Sequence, residues 1–451
     1  MNRREQYKRM VVFFLNAIML AIEAVPFAYL WYMRYFPFMF NPFYRRGNWA
    51  AIGLYLLITF LLTRAYGGYE LTRQRVPEAC LANVLAIICG NVVGYIEVAL
   101  LTVHYFPVKD MIVLTIVQGI CICLWVIFAK HILSKLYPPR RMMVIYGEYS
   151  PAAIMDKIHS RGDTHNVCAS VNMKLGLEEL YRLIPNYEEV LLYDLPSQTK
   201  NKLLKFCFDR SIRTYVTPKV SDIIMASMDD IYTFDVPMFL ARNMGLSPIQ
   251  KFGKRIVDVV LSLIGLIILS PFMLLTAILI KTYDGGPVFY TQERLTINGK
   301  PFKIIKFRSM IVDSEKAGAR LASKHDDRIT PVGKVIRSIH FDEIPQLFNV
   351  LIGDMSIVGP RPERPEIFDE YEEVIPEFIF RLKVKAGLTG FAQVHGRYNT
   401  TPLDKLKFDM LYIEKYSLLM DFKLMFLTVK ILFNRENSEG VADNQTTALK
   451  K

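Results

Sequence analysis

Residues 256–280 read IVDVVLSLIGLIILSPFMLLTAILI, and how this run meets a membrane decides the fold. It is long enough to cross a bilayer, whose apolar core takes about 20 helical residues. Two features argue against a simple crossing. Ser270-Pro271 interrupts the run, and proline removes a helix hydrogen bond and crowds the preceding turn. Basic residues also flank both ends: Lys251, Lys254 and Arg255 before, Lys281 after. A crossing would leave one of those clusters outside, against the positive-inside tendency. A helix over 254–281 that dips in, breaks at Ser270-Pro271 and returns keeps both clusters on one face. The serine hydroxyl would bond to a carbonyl freed at the bend. The competing reading is a kinked helix that spans.

The rest of the chain supports a membrane setting. Of 451 residues, 52% are hydrophobic, and the formal net charge is +12. That balance suits anionic partners such as phospholipid surfaces or phosphorylated substrates. Nucleic acid is excluded, because no basic run interleaved with aromatics and no zinc-finger spacing occurs. Six cysteines, at 80, 89, 121, 123, 168 and 207, lack CxxC spacing. They read as reduced thiols rather than metal ligands or disulfides.

Four apolar segments, about 11–33, 48–66, 79–103 and 111–129, precede residue 135, each near the length of a span. Arginines and lysines at 3, 4, 8 and 9 and again at 130, 135, 140 and 141 place both ends of this 1–135 region in the cytoplasm. Glu23, Asn83, Asn91 and Glu97 within the segments are expected at bundle-facing or interfacial positions rather than along a ligand path. The basic N-terminus followed by a long apolar run without a small-residue cleavage site reads as a retained first span. From 140 to 235, short β-like runs (MMVIYG, VCASVNM, EEVLLYD, RTYVTP) alternate with helix-like stretches, which predicts a parallel α/β, Rossmann-like module. Its first strand ends at a single glycine, Gly147, without the further glycines that let a backbone approach a pyrophosphate. Residues 236–250 read as a linker, and 251–451 as a separate catalytic region.

That last region is rich in charge, glycine and proline. GGPVFYTQERLTINGKPFKIIKFRSM (285–310) predicts a hairpin turning at Asn298-Gly299. HFDEIPQLFNV (340–350) sets two carboxylates, Asp342 and Glu343, ahead of an apolar run; locally this favours a helix cap at Asp342. Lys306, Arg308, Arg337, Arg361 and Arg397 supply phosphate-binding groups, and prolines on both sides of Arg361 stiffen that position. The stretch 416–433, YSLLMDFKLMFLTVKILF, is amphipathic and suits either an interface or a packed helix.

Lys254-Arg255, Ser270-Pro271, GPVFYTQER (286–294), KFRSM (306–310), DEIPQLFNVLIGDMSIVGPRPE (342–363) and GLTG (387–390) resemble the bacterial monotopic phosphoglycosyl transferases. These are also called polyprenyl-glycosylphosphotransferases or bacterial sugar transferases. The likeness covers roughly 250–435, with one departure at Ala386, where many relatives carry proline. Four spans, a Rossmann-like module and a monotopic α/β transferase domain with a re-entrant helix is similar to the family's large members. The resemblance implies transfer of a sugar 1-phosphate from a UDP-sugar to undecaprenyl phosphate at the bacterial inner membrane, with the catalytic domain cytoplasmic, initiating exopolysaccharide, capsule or O-antigen synthesis.

By the same resemblance Asp342 is the nucleophile of a covalent phospho-sugar intermediate and Glu343 its partner. Both are implied to hold Mg²⁺, which favours oxygen ligands. Arg361 leads the phosphate-binding set, followed by Lys306, Arg308, Arg337, Glu363 and Arg397. Glucose or galactose is the sugar suggested by the architecture, and a homodimer is compatible with it. Two rivals remain: a membrane-anchored metabolite-sensing regulator with an inactive transferase-like domain, and a transferase with five full crossings.

Overall fold

The computed structural model describes residues 3–39, 46–159, 162, 164–233, 235–241, 245–311, 328–396 and 400–432. The chain divides into two compact units, Met1–Thr217 and Pro218–Lys451.

In the first unit, α1 (Arg3–Leu30), α2 (Arg46–Ala65), α3 (Val76–Thr102) and α4 (Val108–Leu136) are each long and apolar enough to cross a membrane. Glu23, Asn83, Asn91 and Glu97 are all buried among these helices, as expected. Apolar solvent makes an unpaired polar group costly, and several of these find partners. Tyr55 donates to Asn91 at 2.7 Å, Asn91 to Gln118 at 2.8 Å, and Thr63 to Glu23 at 3.2 Å.

Residues 140–217 alternate as predicted: β1 (Arg140–Tyr146), α5 (Ala152–His159), β2 (His165–Asn172), α6 (Leu177–Leu183), β3 (Glu189–Tyr193), α7 (Ser197–Asp209) and β4 (Arg213–Val216). The sheet is wholly parallel, in the order β2-β1-β3-β4. β1 and β3 are the central strands, and both are near-continuous apolar runs, as burial on two faces requires. The lone Gly147 has a packing reason. A Cβ there would lie 2.1 Å from the Asp194 carbonyl oxygen, so only glycine lets the two strand ends close together.

The second unit begins with α8 (Val220–Met225) and the antiparallel strands β5 (Asp229–Thr233) and β6 (Val236–Leu240). Residues 236–250 are therefore not a plain linker. Val236–Leu240 pairs with β5, and the long helix α9 (Pro248–Asp284) starts inside the stretch. Proline and glycine made it look like a connection, but pairing with β5 satisfies its backbone. The boundary between units accordingly falls after Thr217 rather than after 235.

Helix α9 is 37 residues long, about 55 Å at 1.5 Å per residue and well beyond a ~30 Å apolar core. Ser247 caps it, accepting from the Gln250 amide. Pro271 does not end it, contrary to the expected break. The Ser270 hydroxyl donates to the Ile267 carbonyl at 2.8 Å, the group four residues before Pro271 whose usual donor the proline lacks.

One side of α9 is held by its own unit along the whole length. Lys254, almost fully buried, bonds to Asp421 at 2.7 Å and Tyr412 at 3.1 Å. Stranding either charge would cost roughly 3–5 kcal/mol. Asp258 accepts from the Ser356 hydroxyl and the Ile357 amide, both at 3.0 Å. Farther on, Met273 and Ile280 pack with Phe307 and Ile336. The opposite side exposes Ile256, Val260, Leu263, Ile267, Leu274 and Leu275.

After α9 come the hairpin strands β7 (Phe289–Leu295) and β8 (Pro301–Phe307), then α10 (Pro331–Ser338), α11 (Gln346–Ile352), β9 (Ser356–Val358), α12 (Pro365–Val374), β10 (Gly387–Thr389), α13 (Phe391–His395), α14 (Pro402–Glu414) and α15 (Leu418–Leu432). The hairpin turns at Asn298 and Gly299, with φ of 60° and 72°, the left-handed pair that tight hairpins need. The core gathers Val350, Met355, Phe378, Leu406 and Met410. α15 buries Asp421 and Leu424 against this body, the packed alternative for that stretch.

Candidate active site

The acidic pair sits one turn earlier than a cap would. Asp342 and Glu343 lie in a single 3₁₀ turn, Phe341–Glu343, entered through His340 at φ 56°. A left-handed non-glycine residue costs about 1–2 kcal/mol, and such strain concentrates at functional sites. Helix α11 starts only at Gln346, after Pro345, and no side chain caps it. The expected capping bond from Asp342 is therefore not formed.

The two carboxylates live differently. Glu343 is gripped by two cations. Lys306 donates to its Oε1 at 2.6 Å, and the Arg361 fork donates to Oε1 at 2.8 Å and Oε2 at 3.3 Å. Burial alone would raise its pKa, but Arg361 and Lys306 outweigh it and hold the carboxyl well below the usual range. Among the described residues Asp342 accepts no hydrogen bond. Burial and the neighbouring Glu343 charge push its pKa up, while Lys306, Arg337 and His340 pull it down through their charge.

Backbone geometry fixes this arrangement. β8 delivers Lys306, and Asn349 of α11 pins β8 in register by accepting from the Ile305 amide at 3.0 Å and donating to the Lys303 carbonyl at 2.8 Å. Phe307 stacks on Phe341 with ring centroids 6.2 Å apart, locking strand to turn. Arg255 forks onto the Val350 and Leu351 carbonyls at 2.6 and 2.7 Å, capping the C-terminus of α11 with positive charge.

Arg361 is held more tightly than its flanking prolines alone would manage. Four successive carbonyls accept outside bonds: Pro360 from Gly387 at 2.9 Å, Arg361 from Arg381 at 3.0 Å, Pro362 from Arg294 at 3.2 Å, and Glu363 from Leu295 at 3.2 Å. The GLTG motif supplies the first. A Cβ on Gly387 would stand 2.1 Å from the Gly359 nitrogen, so the two segments meet backbone to backbone. Under these carbonyls the buried Arg381 donates to Asp409 at 3.0 Å and pairs with Glu363 at 3.5 Å. Burial pushes the Asp409 carboxyl up to about 6 despite Arg381, and brings the Arg294 guanidinium down to about 10.

The expected site residues thus divide. Asp342, Glu343, Lys306 and Arg361 come together. Arg337, in the last turn of α10, acts on Asp342 through its charge. Glu363 is an anchor for Arg381 and Lys405 rather than a phosphate ligand, since one anion cannot usefully bind another. Arg308 is nearly buried and pairs with Asp284 at the end of α9. Arg397 lies outside the described residues. Arg294, Asn349, Arg381 and Asp409 were not singled out from the sequence, and Arg255 was marked there only for its charge beside the apolar run. Arg255 and Arg294 sat within quoted motifs, whereas nothing in local spacing marks Arg381 or Asp409.

Residues 249–435 match the family described as bacterial sugar transferase. The chain is 32% identical over 320 residues to the UDP-N-acetylgalactosamine-undecaprenyl-phosphate N-acetylgalactosaminephosphotransferase of Aeromonas hydrophila, covering 69% of this chain and 70% of that protein. It is 38% identical over 216 residues to the UDP-glucose:undecaprenyl-phosphate glucose-1-phosphate transferase of Escherichia coli, covering 44% and 47%. It is 36% identical over 226 residues to the undecaprenyl-phosphate galactose phosphotransferase of Salmonella typhimurium, covering 47% of each. The family match spans the acidic pair, its two cations and the glycines that seat them. The chain belongs to the bacterial sugar transferases, the polyprenyl-glycosylphosphotransferase family of enzymes.

Proposed function

We propose that this chain transfers a sugar 1-phosphate from a UDP-sugar to undecaprenyl phosphate, releasing UMP, through a covalent intermediate on Asp342. The observation that carries this reading is the asymmetry of the acidic pair: Lys306 and Arg361 both bond to Glu343, whereas among the described residues Asp342 accepts no hydrogen bond. A carboxylate held by two cations is a poor nucleophile, and a free one next to those cations is well placed to attack phosphorus.

In the first step an Asp342 carboxylate oxygen bonds to the β-phosphorus, and the bond from that phosphorus to the bridging oxygen breaks. UMP leaves with the electron pair. In the second, an oxygen of the lipid phosphate attacks the same phosphorus and the acyl-phosphate bond breaks, restoring the carboxylate. Lys306 and Arg361 neutralise the charge that builds on the transferring group. Arg361 is half exposed, so its fork can turn from Glu343 to phosphate oxygens.

Mg²⁺ fits as an ion held jointly with the diphosphate. Among the described residues no group of three or more His, Cys, Asp or Glu could hold a metal, and Mg²⁺ characteristically takes one or two carboxylates plus substrate phosphates. Asp342 would hold it through the carboxylate oxygen that does not attack phosphorus, and Glu343 would join when Lys306 or Arg361 turns away. The ion would offset charge on the departing nucleotide.

The same reading makes α9 re-entrant, the catalytic unit cytoplasmic and the first four long helices spans of the inner membrane. Both ends of α9 bond to one polar body, at Lys254 and at Asp284. A crossing would require that body to stand on both sides of the bilayer. A single cysteine at Tyr290→Cys in a cysteine-free background should label from the cytoplasmic face only; labelling from outside would favour five crossings.

The rival regulator would bind metabolites without turnover. Purified protein in nanodiscs, given the UDP forms of glucose, galactose and N-acetylgalactosamine, should release UMP with one of them when undecaprenyl phosphate is present. Absence of UMP with every donor would leave the regulator.

A further inference from the structure

Arg308 has no part in the site just described. Its side chain is 7% exposed, and among the described residues only one of its nitrogens, Nη2, is engaged, by Asp284. Nε and Nη1 are buried and, among the described residues, have no hydrogen-bond partner. A buried charge with unmet donors is rare and costly, and calls for an explanation. Gly286 leaves room beside it, since a Cβ there would lie 2.1 Å from Nη1. The covering turn, Asp284 to Gly286, is where α9 ends, with Gly285 at φ 69° and the Gly286 amide bonded to Asp284 at 3.1 Å.

Position adds direction. Lys306, Phe307 and Arg308 are successive residues with three different partners: Glu343, Phe341 and Asp284. Arg308 follows the last residue of β8, its amide still bonded to the Val288 carbonyl at 2.9 Å, and residues two apart on an extended chain lie about 7 Å apart. Arg308 is therefore one step from the cation that serves the acidic pair, displaced toward the end of the apolar helix. In the re-entrant reading that end lies at the membrane surface, where a phosphate carried on a lipid is presented.

We propose that Arg308, roofed by the Asp284–Gly286 turn, is the receptor for the phosphate monoester of the lipid acceptor, distinct from the Lys306–Arg361 pair that receives the nucleotide sugar. This rests on the two-step reading above and assigns the second substrate its own anchor. The phosphate would take hydrogen bonds from the unmet guanidinium donors, competing with Asp284 for the same charge, and would sit one strand step from the aspartyl intermediate.

The test separates the two half-reactions in the full chain in nanodiscs. Exchange of labelled UMP into UDP-sugar, without lipid acceptor, reports the first; steady-state transfer reports both. Arg308→Gln should raise the KM for undecaprenyl phosphate at least tenfold while exchange falls less than twofold. Arg308→Lys should recover part of the loss. Gly286→Ala, which keeps the charge but crowds Nη1, should raise the same KM. Inorganic phosphate should compete with the lipid acceptor in the wild type and lose that competition in Arg308→Gln. An unchanged lipid KM, exchange that falls in parallel with transfer, or competition of phosphate with UDP-sugar alone would each overturn the assignment. Absence of exchange in the wild-type enzyme would instead sink the covalent reading on which it rests.

Discussion

The Asp342→Asn enzyme should release UMP at less than about a thousandth of the wild-type rate, a loss of roughly 4 kcal/mol of transition-state stabilisation. The amide is nearly isosteric but is no nucleophile, so the route through a covalent ester closes. Stability should hardly move. Asp342 accepts no hydrogen bond among the described residues, and burial together with Glu343 already disfavours its charge. Removing that charge strands no partner, so the change should fall within about 0.5 kcal/mol. Thermal melting and UMP release, measured on one preparation, check both halves. Wild-type-like turnover would remove Asp342 from the nucleophile role.

Arg361→Ala is expected to lower kcat/KM for the UDP-sugar by about 10²–10³-fold, the scale for losing one preorganised donor to a developing anion. Arg361→Lys should recover little. The fork holds both Glu343 oxygens at once, at 2.8 and 3.3 Å, and a point charge cannot reproduce that planar grip. The four anchored carbonyls around residue 361 come from backbone groups or from other side chains, so the loop should keep its shape in either variant. Steady-state kinetics across UDP-sugar concentrations decide. Full recovery with lysine would mean that charge alone matters there and that the rigid loop is incidental to catalysis.

Much of this was legible in the sequence where local pattern and tertiary need agree. The parallel α/β module followed from alternating strands and helices between 140 and 217, because the two central strands, β1 and β3, are apolar enough to be buried. The hairpin followed from Asn298-Gly299, because the turn demands left-handed residues. The failures have a common cause. Val236–Leu240 reads as a linker until β5 pairs with it. Asp342 looks like a cap until Pro345 delays the helix by one turn. Arg308 and Lys306, two residues apart, look equivalent, yet one meets Glu343 and the other Asp284. Arg381 finds Asp409 28 positions away and Lys254 finds Asp421 167 away. No short-range periodicity encodes such pairings, so they emerge only when the chain is folded.

The most direct test is to incubate the enzyme with UDP-sugar labelled at the β-phosphate, without lipid acceptor, and to map the label by mass spectrometry of proteolytic fragments. The account predicts one phospho-sugar adduct per active site on the peptide containing Asp342, formed with UMP release and discharged when undecaprenyl phosphate is added. An enzyme that never carries label, and releases UMP only after both substrates have bound together, would contradict it.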